Sequence, residues 1–309
     1  MGLGLLVACG GGGGSEPRPG AGAGAGLADH EIVFTRQDGA DGADLWLVRP
    51  DGSDPVRLTD DPGVELMAAW SPDGDQVAYA GGESPDGPFD LFVLDVRSGT
   101  ARQVTRTPDR CESAPTWTPD GGDLVYASRD CATQADGIFT IPVGGGQERR
   151  LVAAGSWPDV GPDGRLLYSA PVSGDPWWVQ RVVVSEPDGS DPVDVTPQRF
   201  ESASEATWSP DGGRIAFVAA AGDPGAEDVE SWNEEVYVMD ADGGDPRRVT
   251  TAPGNDHWPP SWSPDGQHLV FSADGVPASG EVATVDLETL VVTALTDNDV
   301  HDLLPAWRP

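Results

Sequence analysis

Hydrophobic and polar residues alternate along short segments of this chain, and glycine or proline interrupts every longer run. No stretch of 12 or more residues places apolar side chains at i, i+3, i+4 and i+7 without such an interruption, although a packed helix needs that spacing. Alternation over about four to eight residues, bounded by turn residues, is typical of β-strands. The pattern therefore predicts an all-β protein.

A short motif recurs along the chain. It reads Trp-Ser/Thr-Pro-Asp-Gly and begins at Trp70, Trp117, Trp208 and Trp262. A degenerate copy begins at Val160, and Trp307 opens a sixth. These six marker positions are 47, 43, 48, 54 and 45 residues apart, close to the ~40–50 residues of one propeller blade.

Each marker is followed by a strand, a loop, a second strand, a tight turn and a third strand. The predicted first strands are Gln76–Ala80, Asp123–Ser128, Arg165–Ser169, Arg214–Val218 and His268–Ser272. The predicted second strands are Asp90–Asp95, Gly137–Val143, Trp178–Ser185, Glu235–Asp240 and Glu281–Asp286. In the motif, proline suits the first turn position and glycine supplies the left-handed residue that closes the hairpin.

Counting the repeats predicts a six-bladed β-propeller of four-stranded antiparallel blades, because sheets that are apolar on both faces bury them by stacking in a ring. The first blade offers the strands Glu31–Arg36, Asp44–Val48 and Val56–Thr59, with no marker before them. Leu303–Trp307 supplies its missing strand. We therefore expect the N- and C-terminal strands to close the ring, and the propeller to span residues 29–309.

Residues 1–28 have a different composition. Leu6-Val7-Ala8-Cys9 resembles the lipobox of bacterial lipoproteins, which implies cleavage before Cys9 and acylation of its thiol. No basic residue precedes the apolar run, so we expect the true start codon to lie upstream of Met1. The run is too short for the ~20 residues that span a bilayer. The following Gly/Ala/Pro-rich residues are expected to form a flexible tether.

The repeats resemble the TolB-type, WD40-like repeat. The resemblance rests on Trp208–Phe217, Val236–Gly244 and Arg247–Thr250, and the repeats cover essentially all of residues 29–309. It implies a six-bladed propeller in the cell envelope. The sequence shows neither the globular domain that precedes the propeller in TolB nor a Gly-x-Ser-x-Gly nucleophile elbow. We therefore expect a protein that is not an enzyme.

The charge of the chain excludes some partners. Asp and Glu number 52 against 18 Arg and no Lys, for a net charge of −34. Such a chain would repel nucleic acid and anionic lipid surfaces. Each Pro-Asp-Gly turn adds an aspartate, so the acidity is only weak evidence for a cationic ligand.

Candidate binding residues cluster at the start of the strands that end on the markers. Counting five residues back from each marker gives Glu65, Glu112, Gly155, Ala203, His257 and Asp302. With Glu205, Trp258 and His301 in the same loops, these residues could ring the mouth of the central channel. Such a ring could bind a divalent cation, a basic peptide or a hydroxylated ligand. Alternatively, the polar residues only cap strand ends and contact water.

Trp232, in the long loop Ala219–Asn233, and Trp177 and Trp178 would lie on the same face. The four histidines are too dispersed for a zinc motif of short spacing. Only His257 and His301 could meet, so we expect no cofactor, with a divalent cation left open.

Two further cysteines suit a disulfide. Cys111 and Cys131 each lie about ten residues from the turn at Asp120–Gly121, so antiparallel pairing would bring them opposite each other. An exported location would permit the bond.

Taken together, the sequence predicts a monomeric, non-catalytic propeller, exported and lipid-anchored to the cell membrane or outer membrane on its periplasmic or extracellular face. Its expected ligand is an envelope protein, peptide or glycan at the channel mouth. Two alternatives remain open: a polysaccharide lyase or hydrolase that uses the acidic mouth, and a structural scaffold.

Overall fold

The fold is seen in a computed structural model of the chain. It describes residues 27, 29–37, 42–85, 87–130, 133, 136–176, 179–220, 234–251, 259–273 and 280–309. These residues form strands and turns, with none in a helix long and apolar enough to cross a membrane.

The described strands are short and follow one another in antiparallel order. In chain order they are β1 (Ile32–Gln37), β2 (Asp44–Val48), β3 (Val56–Arg57), β4 (Val64–Trp70), β5 (Gln76–Gly82), β6 (Asp90–Asp95), β7 (Thr100–Gln103), β8 (Arg110–Trp117), β9 (Asp123–Asp130), β10 (Asp136–Pro142), β11 (Arg149–Val152), β12 (Ser156–Val160), β13 (Leu166–Pro171), β14 (Gln180–Ser185), β15 (Val193–Asp194), β16 (Ala203–Trp208), β17 (Arg214–Ala220), β18 (Glu234–Asp240), β19 (Arg247–Arg248), β20 (Ser261–Trp262), β21 (His268–Ala273), β22 (Glu281–Asp286), β23 (Val292–Ala294) and β24 (His301–Trp307).

These strands form six four-stranded sheets, which are the blades of a propeller. Blade 1 has the order β24-β1-β2-β3, and blades 2 to 6 take the remaining strands four at a time in chain order. The first strand of each blade, which we call the inner strand, ends on a marker residue. The predicted six-bladed propeller is confirmed.

The two ends of the chain close the ring within blade 1. Strand β24 pairs with β1 in a register that places Trp307 opposite Ile32 and Asp302 opposite Arg36. The backbone N–H of Arg308 donates to the carbonyl of Glu31 at 2.6 Å. The predicted pairing of the two terminal strands is thus confirmed, with β24 two residues longer at its start than expected.

The turns after the markers have the conformation that their residues predict. In the turn after Trp70, Gly74 has a φ of +69°, a region that costs other residues energy. The Ser71 hydroxyl donates to Asp73 at 2.6 Å and accepts from the backbone N–H of Gln76 at 2.9 Å. The hydrogen bonds that Asp73 accepts from the Ser71 hydroxyl and the backbone N–H of Asp75 hold its pKa below the ordinary value. Equivalent hydroxyl–carboxylate bonds occur at Thr118, Ser209 and Ser263.

The marker tryptophans fill the space between neighbouring blades. Trp70, Trp117, Trp208 and Trp262 are 5–7% exposed. Trp117 donates its indole N–H to the carbonyl of Ala69 in blade 2 at 3.0 Å. Because each tryptophan packs against its neighbouring blade, the core is a series of inter-blade layers around the ring.

Candidate functional site

The inner strands all begin at one end of the ring, which we call the channel mouth. The connections from the outer strand of one blade to the inner strand of the next lie at this end. The connections between the second and third strands of each blade lie there as well. Glu65, Glu112 and Asp302 are at the start of β4, β8 and β24, so the structure places them at the mouth end of three consecutive blades.

Glu65 and Glu112 lie beneath the mouth surface. They are 4% and 1% exposed. Glu65 accepts a hydrogen bond from the Thr59 hydroxyl at 2.9 Å, and Glu112 accepts from the hydroxyls of Thr105 and Thr107. Burial raises the pKa of each glutamate to about 8, because a charged carboxylate loses its hydration there. Near neutral pH both carboxyls are therefore mostly protonated.

Asp302 is buried and holds an ion pair across the seam between β24 and β1. Both of its carboxylate oxygens accept from the guanidinium of Arg36, at 2.6 and 2.7 Å. The side-chain amide of Asn298 donates to the same carboxylate at 2.8 Å. Such a bidentate pair fixes both side chains. Asp302 therefore joins the two terminal strands at the mouth.

A second kind of threonine–carboxylate contact, within one blade, involves acids that the sequence analysis did not select. Thr250 donates to buried Glu235, and Thr296 donates to buried Glu281. In each case the threonine also accepts from the backbone N–H of the residue after the glutamate, at 2.9 Å. The signal was present in the sequence, since each threonine ends the Val-Thr or Leu-Thr segment of its repeat.

Glu205 and His301 lie within strands, not in the loops where the sequence analysis put them. Glu205 is the third residue of β16, and His301 is the exposed first residue of β24. Glu205 has a φ of +54° and lines the central channel. Its Oε2 is buried with no hydrogen-bond partner among the described residues. Burial, with a smaller effect from Glu234, raises the pKa of Glu205 well above its ordinary value.

The central channel contains a cavity of about 160 Å³. Each inner strand contributes three successive residues to its wall. They are Met67–Ala69, Ala114–Thr116, Trp157–Asp159, Glu205–Thr207, Pro259–Ser261 and Leu304–Ala306. Most of these side chains are apolar, and Glu205 is the one among them that the sequence analysis selected.

Asp159 joins blades across the channel. Its carboxylate accepts from the hydroxyl of Thr116 at 3.2 Å, from the hydroxyl of Thr207 at 3.0 Å and from the backbone N–H of Trp208 at 2.7 Å. Burial raises the pKa of Asp159 above its ordinary value. It therefore fastens blade 4 to blades 3 and 5.

Exposed acids surround the mouth above these buried groups. They lie in the connections that lead from an outer strand to the next inner strand. We call Asp60, Asp109, Glu201, Asp297 and Asp299 the acidic rim, and all five are exposed. Among the described residues, no group of three or more His, Cys, Asp or Glu side chains has an arrangement that could hold a metal ion.

Several predicted residues lie outside the described part of the chain. They are Cys9, Cys131, Trp177, Trp178, Trp232, His257 and Trp258. Cys111 is described and is disulfide-bonded. Strand β9 pairs with β8 and ends at Asp130, opposite Arg110. The Cys111–Cys131 pairing and the mouth-ligand roles stay predictions.

Comparison with known proteins places the repeats in context. A segment of 49 residues is 41% identical to the Tol-Pal system protein TolB of Nitratidesulfovibrio vulgaris, and it covers 16% of this chain and 11% of that protein. Among solved structures, TolB from Acinetobacter baumannii superposes with a TM-score of 0.75 at 19% identity, over 91% of this chain and 67% of that one. An oligogalacturonate lyase in complex with manganese superposes with a TM-score of 0.57 at 15% identity, over 84% of this chain and 72% of that one.

The similarity to these two solved structures shows a common fold. The match of the 49-residue segment to TolB confirms the resemblance to the TolB-type repeat. The family description "Tricorn protease N-terminal beta propeller domain" matches residues 25–182. That stretch is just over half of the 309 residues. It includes strands β1 to β3 of blade 1, all of blades 2 and 3, and the first two strands of blade 4. The chain therefore belongs to the family of the Tricorn protease N-terminal beta propeller domain.

Proposed function

We propose that this chain is a non-catalytic binding propeller of the cell envelope, and that its channel mouth receives a positively charged segment of a protein partner. The observation that carries the proposal is the acidic rim. Its exposed carboxylates stand on connections from four of the six blades. Arg106 and Arg199 stand on two of the same connections, and Arg57 pairs with Asp60 at 2.7 Å, but the five rim acids outnumber these three arginines. A surface with a net negative charge attracts positively charged segments and speeds their encounter.

The buried groups beneath the rim support a binding role over a catalytic one. Glu65, Glu112 and Asp302 already accept hydrogen bonds from threonine hydroxyls or from Arg36. Side chains engaged in this way stabilise the connections that carry the rim. Connections that are already rigid also lose less conformational entropy of their own when a partner binds.

Localisation is part of the proposal. TolB, named as a Tol-Pal system protein, matches a segment of the chain, and residues 6–9 resemble a lipobox. We place the protein in the envelope, attached through acylated Cys9 and monomeric. Fractionation of cells that express Cys9→Ser should move the protein from the membrane pellet to the soluble fraction. Retention of the variant in the pellet would contradict the anchor.

The rim is tested by neutralising it. Asp60, Asp109, Asp297 and Asp299 are changed together to asparagine. The matched control neutralises four exposed acids at the opposite end of the ring: Glu186→Gln, Asp191→Asn, Asp245→Asn and Glu288→Gln. Purified wild-type chain, the rim variant and the control variant are immobilised and exposed to envelope extract. Retained proteins are then quantified by mass spectrometry.

We expect the wild-type and control chains to retain the same proteins, and the rim variant to lose most of them. Each rim charge is exposed, so its removal should leave the melting temperature of the propeller nearly unchanged. Equal retention by all three chains would overturn the proposed site. Turnover of an acidic polysaccharide by the wild-type chain would instead support the lyase alternative.

A further inference from the structure

A second candidate site lies at the end of the ring opposite the channel mouth. There, blade 6 and blade 1 leave a groove of about 770 Å³ between them. The groove is lined by Glu31, Asp265, His268, Asp286, Thr289 and Trp307, among others. We call it the seam groove, because it follows the seam where the ring closes.

Three of the marker tryptophans at this end of the ring follow one rule: an arginine of the preceding blade lies over the indole face. The guanidinium carbon of Arg308 lies 5.0 Å from the ring centre of Trp70. Arg165 lies 4.8 Å from Trp208, and Arg214 lies 4.7 Å from Trp262. Each arginine belongs to the blade that precedes the tryptophan. A guanidinium over an indole face is a favourable cation–π pair.

The seam groove departs from this rule. Arg214 follows its marker Trp208 by six residues, and His268 follows the marker Trp262 by the same number. His268 therefore takes the arginine position opposite Trp307. Its imidazole lies 6.3 Å from the indole, tilted by 36°. A shorter side chain thus stands where the repeat elsewhere places a guanidinium. Gln76 holds the equivalent sequence position in blade 2.

The charges around the groove suit a cation. His268 lies between two carboxylates, with its Nε2 3.4 Å from Asp286 and its Nδ1 4.0 Å from Asp265. Hydrogen bonds from Thr289 and Ser263 keep the pKa values of these aspartates below the ordinary value, so both are charged at neutral pH. A third acid, Glu31, accepts from the indole N–H of Trp307 at 3.5 Å. No arginine contributes to the described lining.

We propose that the seam groove binds an arginine side chain of a partner protein. The guanidinium would lie over the indole of Trp307, as the chain's own arginines lie over Trp70, Trp208 and Trp262. Its N–H groups would donate to Asp286 and Glu31. A planar guanidinium with five donors fits both the flat ring and the carboxylates. This site is separate from the mouth and does not depend on the function proposed for it.

The probe is the capped pentapeptide Gly-Gly-Arg-Gly-Gly, titrated into the full chain while the indole N–H resonances are followed by NMR. The comparison peptide carries citrulline, which keeps the shape of arginine without its charge. We expect the arginine peptide to shift the Trp307 resonance and to bind at least tenfold more tightly than the citrulline peptide. Equal affinities would overturn the proposal.

Two variants localise the effect. His268→Arg supplies the repeat's own guanidinium at the seam and should abolish binding while the chain stays folded. Asp286→Asn should weaken binding several-fold. The matched control is Asp188→Asn, because Asp188 also caps an exposed turn at this end of the ring but lies in blade 4. Full binding by His268→Arg would overturn the proposal, as would a shift of Trp307 by neutral oligosaccharides and not by the arginine peptide.

Discussion

Ala114 has a left-handed backbone in the middle of a strand, with a φ of +46°. L-residues pay roughly 1–2 kcal/mol for this conformation. The equivalent residues Met67, Trp157, Glu205 and Leu304 share it, at φ values of 48–57°. The register of each of these inner strands shifts at this place, which marks a β-bulge. Five different side chains adopt one strained conformation, so the cause lies in how the strands turn around the channel.

Replacement of Ala114 by glycine should therefore not lower the stability of the fold, as a glycine within a strand usually does. We expect Ala114→Gly to leave the free energy of unfolding unchanged or to raise it by up to about 1 kcal/mol, because glycine adopts positive φ freely. Ala127, in the neighbouring strand β9, is the matched control. Ala127→Gly should lower the free energy of unfolding by about 1 kcal/mol or more, since it raises the conformational entropy of the unfolded chain and removes a buried methyl group. Urea unfolding measures both values, and an equal loss in the two variants would argue against strain at Ala114.

The buried glutamates make stability depend on pH. Glu65 and Glu112 have a pKa of about 8 in the folded chain, above an unfolded value near 4.5. The folded state therefore binds protons more tightly, and the added stability is fully present below pH ~4.5 and is lost as the pH rises through about 8. We expect the melting temperature to fall steadily between pH 5 and pH 9.

A double variant isolates this effect. Glutamine resembles a protonated glutamate, so Glu65→Gln with Glu112→Gln should flatten the decline between pH 5 and pH 8. Each group contributes at most about 1.4 kcal/mol per pH unit. Below pH ~4 the sign reverses, because turn aspartates such as Asp73 have lowered pKa values and lose their bonds on protonation. An unchanged slope in the double variant would assign the pH dependence to other groups.

At the scale of elements, threonines fasten one strand to the next. The hydroxyl of Thr105 accepts from the backbone N–H of Leu91 at 2.8 Å and donates to Glu112. It thereby connects the end of β7 to the start of β6 and of β8. Thr196 accepts in the same way from Val182, but Ala203 stands seven residues after Thr196, where Glu112 stands seven residues after Thr105.

The two threonines provide a matched test. Thr105→Val should lower the free energy of unfolding by about 2–4 kcal/mol, because it leaves the buried N–H of Leu91 without a partner and removes one of the two hydroxyl bonds to the buried carboxyl of Glu112. Thr196→Val loses one such bond and should cost about 1–2 kcal/mol. Chemical denaturation of both variants gives the comparison. Equal losses would show that the contact with Glu112 adds no stability.

The strands could be predicted because their signals are local. Alternation with period two and the Pro-Asp-Gly turns determine where each strand starts, and the structure differs by only a few residues at the ends. The burial of Glu65 and Glu112 could not be read in this way. It depends on Thr59 and Thr105, six and seven residues upstream, and those residues meet the glutamates only after two blades have packed together. The positive φ at Glu205 likewise has no sequence signal, since glutamate ordinarily avoids that region.

At the scale of the whole molecule, part of the net charge of −34 comes from aspartates that stabilise the turns of the repeat. Asp73, Asp120, Asp211 and Asp265 each accept from a hydroxyl and a backbone N–H within their own turn. These carboxylates stabilise the turns of the repeat. The five acids of the acidic rim lie outside these marker turns.

Closure of the ring gives a prediction for the whole chain. Deletion of residues 303–309 removes most of β24 and exposes the buried side of β1, including Ile32 and Val33. We expect the melting temperature to fall by more than about 10 °C, at roughly 2–4 °C per kcal/mol lost. Deletion of residues 1–26 is the control and should leave it unchanged. Circular dichroism measures both, and a truncated chain that melts like the full-length protein would disprove the closure.

The same seam determines when the protein can finish folding. Blades 2 to 6 each consist of consecutive strands, so they can form while the chain emerges from the ribosome, from local contacts that assemble quickly. Blade 1 cannot be completed in this way, because β24, the partner of β1, is synthesised after the strands of all the other blades. Until then β1 has an unpaired edge and the ring is open, a state prone to wrong pairing with other chains. The exposed edge of β1 is therefore covered only when the seven residues of β24 (His301–Trp307) have been synthesised and have paired with it.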